Sequence, residues 1–402
     1  MSWAARLADR LLVPGPVAFA SLFAVESLTR ALLTVVLPVV ALAVLGDARD
    51  VSLAFSAAVG LVVVASQAIP PLLRRFGPHV VYGAAAVLMA AVPLCLALST
   101  GAGTIAAIVL RALSAACAMN ALHLMIMTHI GRRDLARMEP LRIFAAAGAW
   151  CAAPVVGVRL YELVSPWAAY GASIAAAALL LCHILAVWAR SRRMGAAGAA
   201  APEPPGAGPR FAPVRNLRRF VVQPRLRLAY VLNLVRESWW VLFLVYGPIY
   251  MVTSGMGAAA GGYLVAAGMA MLFTTPLFGR LARRVGMRRV IMGGFTAAGL
   301  GALLAAAATP WPYAFAACIL ASAVGAMALD SVTMVTFQRA VHARERPEMT
   351  VVFATYRDVA LMASTAVFGL LLSFFGLWCV FAAAGLWLVA CAWLARHVPR
   401  GM

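Results

Sequence analysis

Eight charged side chains lie in stretches that are otherwise apolar: the acids Glu26, Glu237, Asp330 and Asp358, and the bases Arg30, Arg111, Arg236 and Arg357. Four against four suggests pairing. A charge at the centre of a bilayer costs about 2.5–3.5 kcal/mol on insertion scales, so such residues persist only with partners, water or a function. Glu26 and Arg30 are four apart and share a helix face. A carboxylate that exchanges a proton for a guanidinium partner is the simplest chemistry for proton coupling, since desolvation favours its neutral form and a nearby arginine its charged form. Glu26 and Glu237 lead this assignment, with Asp330 and Asp358 behind them and Arg30, Arg111, Arg236 and Arg357 as charge partners. The alternative is a set of static ion pairs pinning helices together. An Arg357–Asp330 bridge is expected to close one side, in competition with direct coupling by Asp358.

Other polar and aromatic groups accompany the charges. Asn120, His123 and Asn233 offer hydrogen bonds, and Trp239, Trp240 and Tyr246 offer aromatic area, a combination suited to an amphipathic organic molecule and also to plain packing. His123, Met125, Met127 and His129 hint at a soft metal, but a six-residue histidine spacing does not share a helix face, and no metal site is assigned. No nucleophile, base and orienting group occur together, so the chain does not read as an enzyme, and no cofactor is implied.

The elements that carry these residues are membrane spans. Hydrophobic residues make up 64% of the 402 positions and charged residues 11%, against roughly 45–50% and 25% in soluble domains. Crossing a bilayer takes about 20 apolar residues. Twelve such stretches are legible, near 17–45, 52–71, 80–99, 104–128, 141–161, 166–189, 228–252, 258–278, 289–308, 313–336, 350–374 and 376–395. The fold class is therefore an all-α membrane protein of twelve transmembrane helices in two parallel six-helix repeats. The repeat shows as landmarks about 210 positions apart: Glu26-Ser27 with Glu237-Ser238, Arg74-Arg75-Phe76-Gly77 with Arg283-Arg284-Val285-Gly286, Asn120 with Asp330, and Glu139 and Phe144-Ala145 with Glu348 and Phe353-Ala354. Parallel repeats of this kind rock about a central site in membrane carriers. The expected division is a bundle over 1–189, a linker over 190–227 and a second bundle over 228–402.

The net charge of +20 would suggest nucleic acid in a soluble chain, yet its distribution follows topology. All the basic residues are arginine, and they gather in every second loop, while the alternate loops near 98–103, 253–259, 309–312 and 373–377 carry no charge. By the positive-inside rule both termini are cytoplasmic, from which an even number of spans follows. The expected setting is the cell's inner membrane and the expected partner surface is the lipid bilayer, with no nucleic acid and the chain working as a monomer. All seven cysteines fall inside spans without metal-ligand spacing and read as packing residues.

The stretch Gly279-Arg280-Leu281-Ala282-Arg283-Arg284-Val285-Gly286-Met287-Arg288-Arg289 resembles the loop signature G-x-L-x-D-R-x-G-R-R of the major facilitator superfamily, and Pro70, Leu72, Arg74, Arg75 and Gly77 form a degenerate first copy. Arg74 and Arg283 stand where that family has aspartate. Ala149-x-x-x-Ala153-Pro154-x-x-Gly157 is similar to the family's span-five pattern G-x-x-x-G-P-x-x-G, associated with antiporters, and Arg111 resembles a buried arginine of another family motif. The resemblance implies that spans 1, 4, 7 and 10 line a central cavity, that Arg75, Gly77, Gly279, Arg284 and Gly286 shape gating loops, and that Pro154 and Gly157 shape a kink. It further implies a secondary transporter moving a small organic solute by alternating access. Proton-coupled export is favoured over proton-symport uptake or uniport, with protons as the co-substrate, and over a non-transporting receptor or scaffold.

Overall fold

The computed structural model describes residues 11–66, 68–130, 132–193, 222–341, 349, 353 and 355–398. The body of the expected linker, 194–221, and the landmarks Glu348 and Ala354 lie outside them, and every described element is helical. Span one comprises α1 (Pro16–Leu32) and α2 (Val36–Leu45), and span two α3 (Ala48–Ser66) and α4 (Ile69–Phe76). Spans three to six are α5 (Pro78–Ala97), α6 (Gly101–His129), α7 (Arg132–Arg159) with a π turn over Leu160–Val164, and α8 (Pro166–Arg193). Span seven runs through α9 (Pro224–Val241), a π turn over Leu242–Tyr246 and α10 (Gly247–Thr253), and span eight through α11 (Gly257–Ala270), a 3₁₀ turn and α12 (Thr275–Val285). Spans nine to twelve are α13 (Met287–Ala307), α14 (Pro312–Ala340), α15 (Tyr356–Leu372) and α16 (Trp378–Leu394).

Among the described residues, eleven helices are long and apolar enough to cross a membrane. The eleventh predicted span is represented by α15, whose 17 residues fall just short of the usual crossing length of about 20.

The chain divides into two compact units, Met1–Gly46 with Ala57–Gly208, and Asp47–Ser56 with Pro209–Met402. Their internal packing is the same. In the first, span one packs on span five, and span three packs on spans four and six; in the second, span seven packs on span eleven, and span nine on spans ten and twelve. The repeat written in the sequence is thus a repeat of contacts. Small residues make the contacts close in lipid, where helices gain nothing from hiding apolar surface from water. The first unit's core is built from Phe19, Leu22, Tyr82, Leu122, Met125 and Leu180. In the second, Phe337 stacks on Phe353 with ring centroids 3.9 Å apart.

The start of α3 belongs to the second unit. Tyr246 donates to the Ser52 hydroxyl at 2.8 Å, Ser56 donates to the Met362 carbonyl at 3.2 Å, and Gly369 lies against Ser52 and Leu53. The one helix α3 therefore serves both units, a division that hydrophobicity alone does not reveal.

Candidate functional site

The matched loop motifs become matched turns. Gly77 closes α4 and opens α5 at φ 81°, ψ 162°, and Gly286 closes α12 and opens α13 at φ 94°, ψ 140°. Only glycine adopts this region without strain, so the two glycines hold the two units' equivalent turns. Arg75 and Arg284 are exposed beside them, and the Arg75 guanidinium lies 5.3 Å from the Phe76 ring centroid. Gly279 has open space where a side chain would project, so packing does not demand glycine there. In span five Pro154 is buried within α7. A Cβ on Gly157 would overlap the Leu32 backbone carbonyl, so α1 and α7 touch backbone to backbone at the end of the small-residue pattern.

In the first unit the charges close on one another. Glu26 is only 4% exposed and its Oε1 accepts from Arg30 Nη1 at 3.0 Å. Arg111 Nη2 donates to the Arg30 carbonyl at 3.1 Å and to Thr34 Oγ1 at 2.8 Å, which ties span four to the end of α1. The Arg30 guanidinium also lies 5.6 Å from the Trp150 ring centroid. Beside Glu26 is a shallow recess lined by Phe23, Glu26, Tyr82, Ala118, Met119 and Leu122. Asn120 and His123 are exposed on the same span-four helix, and Asn120 Nδ2 donates back to the Ala116 carbonyl.

Arg142 was missed by sequence reasoning, which counted it with the basic cluster 132–142 at the edge of span five. Helix α7 begins at Arg132, so Arg142 stands well inside it. Its side chain is 6% exposed, its guanidinium lies 4.5 Å from the Phe23 ring centroid, and Nη1 reaches Met119 Sδ at 3.6 Å. The available signal was helical length: a span that starts early carries its first arginines inward.

In the second unit Arg236 is the hub. Its Nη1 donates to Asp330 Oδ1, and its Nη2 to Glu237 Oε2 at 2.8 Å and to Tyr356 Oη at 2.9 Å. Trp240 Nε1 donates to the other oxygen of Asp330 at 3.0 Å. Both Asp330 oxygens are therefore occupied by donors from span seven. The expected Arg357–Asp330 bridge is corrected: Arg357 Nε donates instead to Tyr356 Oη at 3.2 Å. The reason is which helices meet. Span seven packs directly on span ten and on span eleven, and a guanidinium with five donors on span seven serves both neighbours at once. Tyr356, 4% exposed, thus accepts from two arginines and joins them; only its position beside Arg357 could have signalled it.

Three of the residues expected around a solute are packed among helices. Trp239 is fully buried, stacks on Phe243 at 5.0 Å and donates to Ser322 Oγ at 2.8 Å. Tyr246 is fully buried on Ser52. Asn233 is fully buried, with Nδ2 donating to the Ala229 and Thr333 carbonyls. Trp240, half-buried, remains next to the charges. Arg357 and Asp358 are exposed. No group of three or more metal-ligating side chains occurs among the described residues.

Known proteins agree with this architecture. The family model described as Major Facilitator Superfamily matches residues 19–364, while no curated protein sequence matches the chain. Among solved structures, a peptide transporter POT in complex with sulfate is 13% identical with a TM-score of 0.72, covering 97% of this chain and 97% of that one. The nucleoside transporter NupG is 12% identical with a TM-score of 0.68, covering 94% and 98%. A POT family transporter in complex with 5-aminolevulinic acid is 11% identical with a TM-score of 0.69, covering 94% of each. At these identities the likeness is one of fold. With the family model matching most of its length, this multi-pass membrane protein belongs to the major facilitator superfamily.

Proposed function

We propose that the chain is a proton-coupled secondary transporter that exports a small organic solute by alternating access. The observation that carries the reading is an arginine–glutamate clamp in each unit: Glu26 held by Arg30, four residues on, in one, and its repeat equivalent Glu237 held by the adjacent Arg236 in the other. In each clamp one carboxylate oxygen accepts from arginine. Protonating the carboxylate weakens the charge-assisted bond and lets the arginine move, which links a proton to a conformational preference. A scaffold has no use for such groups at a cost of about 2.5–3.5 kcal/mol each. Asp330, with both oxygens engaged, reads as a structural tie, leaving Glu26 and Glu237 to lead the coupling. Export is favoured over uptake by the small-residue and proline pattern of span five and its backbone contact at Gly157. The arginine-rich turns support a reading in which both termini are cytoplasmic, in a chain of the inner membrane.

The test is proton movement in energised everted vesicles, followed with a pH-sensitive dye while metabolites and amphipathic compounds are added. Substrate-dependent proton release that Glu26→Gln abolishes, with the variant still folded, is the expected result. Solute accumulation that needs a proton gradient of the opposite sense would replace export by symport, and flux indifferent to Glu26→Gln would remove the coupling role.

A further inference from the structure

Two charges on α15 stand out from the network in that, among the described residues, neither is held in a salt bridge at hydrogen-bonding distance. Helices repeat every 3.6 residues, so positions seven and eleven apart lie within about 20° of one another around the axis. Arg357 heads a stripe that continues as Ser364 and Phe368, and Asp358 heads a stripe that continues as Thr365 and Gly369. All four followers are buried. Ser364 donates to Ser238 on span seven at 2.7 Å, Phe368 meets Tyr246, and Gly369 lies against Ser52. Both charges therefore sit on the inward-packing arc of span eleven, not on its lipid arc, yet both are exposed.

Their partners are few. Arg357 spends its Nε on Tyr356 Oη, and no hydrogen bond engages its two forward nitrogens or the Asp358 carboxylate among the described residues. Tyr356 thus fixes the guanidinium plane and leaves its bidentate edge open. Charge counting narrows what could enter. Among the described residues of the cluster, Arg236 and Asp330 cancel, leaving Glu237, Arg357 and Asp358 with one negative charge in excess. A simple anion would deepen the excess, and a simple cation would leave the open edge of Arg357 unused and repelling it. A zwitterion adds no charge and engages both open groups, while a proton on Glu237 removes the excess.

We propose that Arg357 and Asp358 form a head-group subsite for an amino-acid-like zwitterion, with the solute carboxylate on Arg357 and its ammonium on Asp358. This names the substrate class of the transporter reading above and rests on it. The guanidinium edge matches a carboxylate in two parallel bonds, and Trp240 and Tyr230 border the cluster with apolar area for the remainder of the solute.

The test uses the full chain in proteoliposomes and two readouts, tryptophan fluorescence for binding and counterflow for transport. The probes are L-leucine, L-phenylalanine and 5-aminopentanoate, with the methyl ester and N-acetyl derivative of each. A lost charge-assisted pair is expected to weaken binding about tenfold or more, so the wild type prefers at least one zwitterion over both of its derivatives by that factor. Arg357→Gln abolishes the preference over the ester alone, Asp358→Asn the preference over the N-acetyl form alone, and Arg357→Lys restores part of the first. A wild type that binds none of the probes, or binds esters as tightly as acids, overturns the assignment, as do variants that keep the discrimination. If proton-linked flux of other compounds persists in those cases, only the subsite falls. If a zwitterion binds with the predicted discrimination but no compound is moved, the transporter reading falls and the subsite stands.

Discussion

The Arg236–Asp330 pair gives the sharpest test of how the second unit is held together. Arg236 is buried, serves two carboxylates and Tyr356, and ties span seven to spans ten and eleven. Replacing it with methionine keeps the volume but leaves Asp330 and Glu237 without their cation. Breaking a buried pair by removing one member costs about 3–5 kcal/mol, most of it the stranded charge. Asp330→Asn is milder, because the amide oxygen still accepts from one donor and no charge is stranded on the acid; the loss of a charge-assisted bond is about 1.5–3 kcal/mol. In the double variant position 330 carries no charge to strand, so the combined loss falls short of the sum by about 2 kcal/mol, well beyond the roughly 0.5 kcal/mol within which independent sites add. The assay is reversible unfolding in mixed detergent and SDS micelles, read by tryptophan fluorescence. Arg357→Met with Asp330→Asn is the comparison and is expected to couple more weakly, since Arg357 reaches Asp330 only through Tyr356 and Arg236. Additivity of the Arg236 cycle, or coupling just as large in the Arg357 cycle, would refute the pairing.

Other substitutions probe the remaining contacts. Gly157→Ala drives a methyl into the Leu32 carbonyl and is expected to destabilise by about 1–3 kcal/mol, as overpacking does, with transport falling more than folding if spans one and five move against each other; unchanged flux and stability would mean the contact relaxes freely. Gly77→Ala and Gly286→Ala each force a side chain into a glycine-only region at about 1–3 kcal/mol, whereas Gly279→Ala, with open space around it, is expected to be neutral in the same unfolding assay. Arg142→Met removes the guanidinium over Phe23 at about 0.5–2 kcal/mol, and the same change made in a Phe23→Leu background is expected to cost measurably less.

What could be read from the sequence was whatever repeats or is forced by backbone geometry. Spans follow from lipid as solvent, and the offset of about 210 positions anticipates the common pattern of helix contacts because equal sequences in equal spans bury equal faces. Gly77 and Gly286 were legible because their backbone conformation excludes other residues. Partner choice was not legible, for a physical reason. Pairing depends on which helices approach at which height, and long side chains blur even that. Arg236 and Glu237 are adjacent in sequence and point about 100° apart, yet the arginine curls to meet its neighbour while also reaching Asp330. Trp239, Asn233 and Tyr246 were chemically suited to a solute, but the partners that decide their role are Ser322, Thr333 and Ser52, small residues that carry no signal of their own. The same logic explains why Arg357 and Asp358 gain meaning only from the fold. As a dipeptide they look like a local ion pair; placed at the head of two buried stripes, with Tyr356 holding one of them, they become two open charges of opposite sign on the inward arc of a single helix.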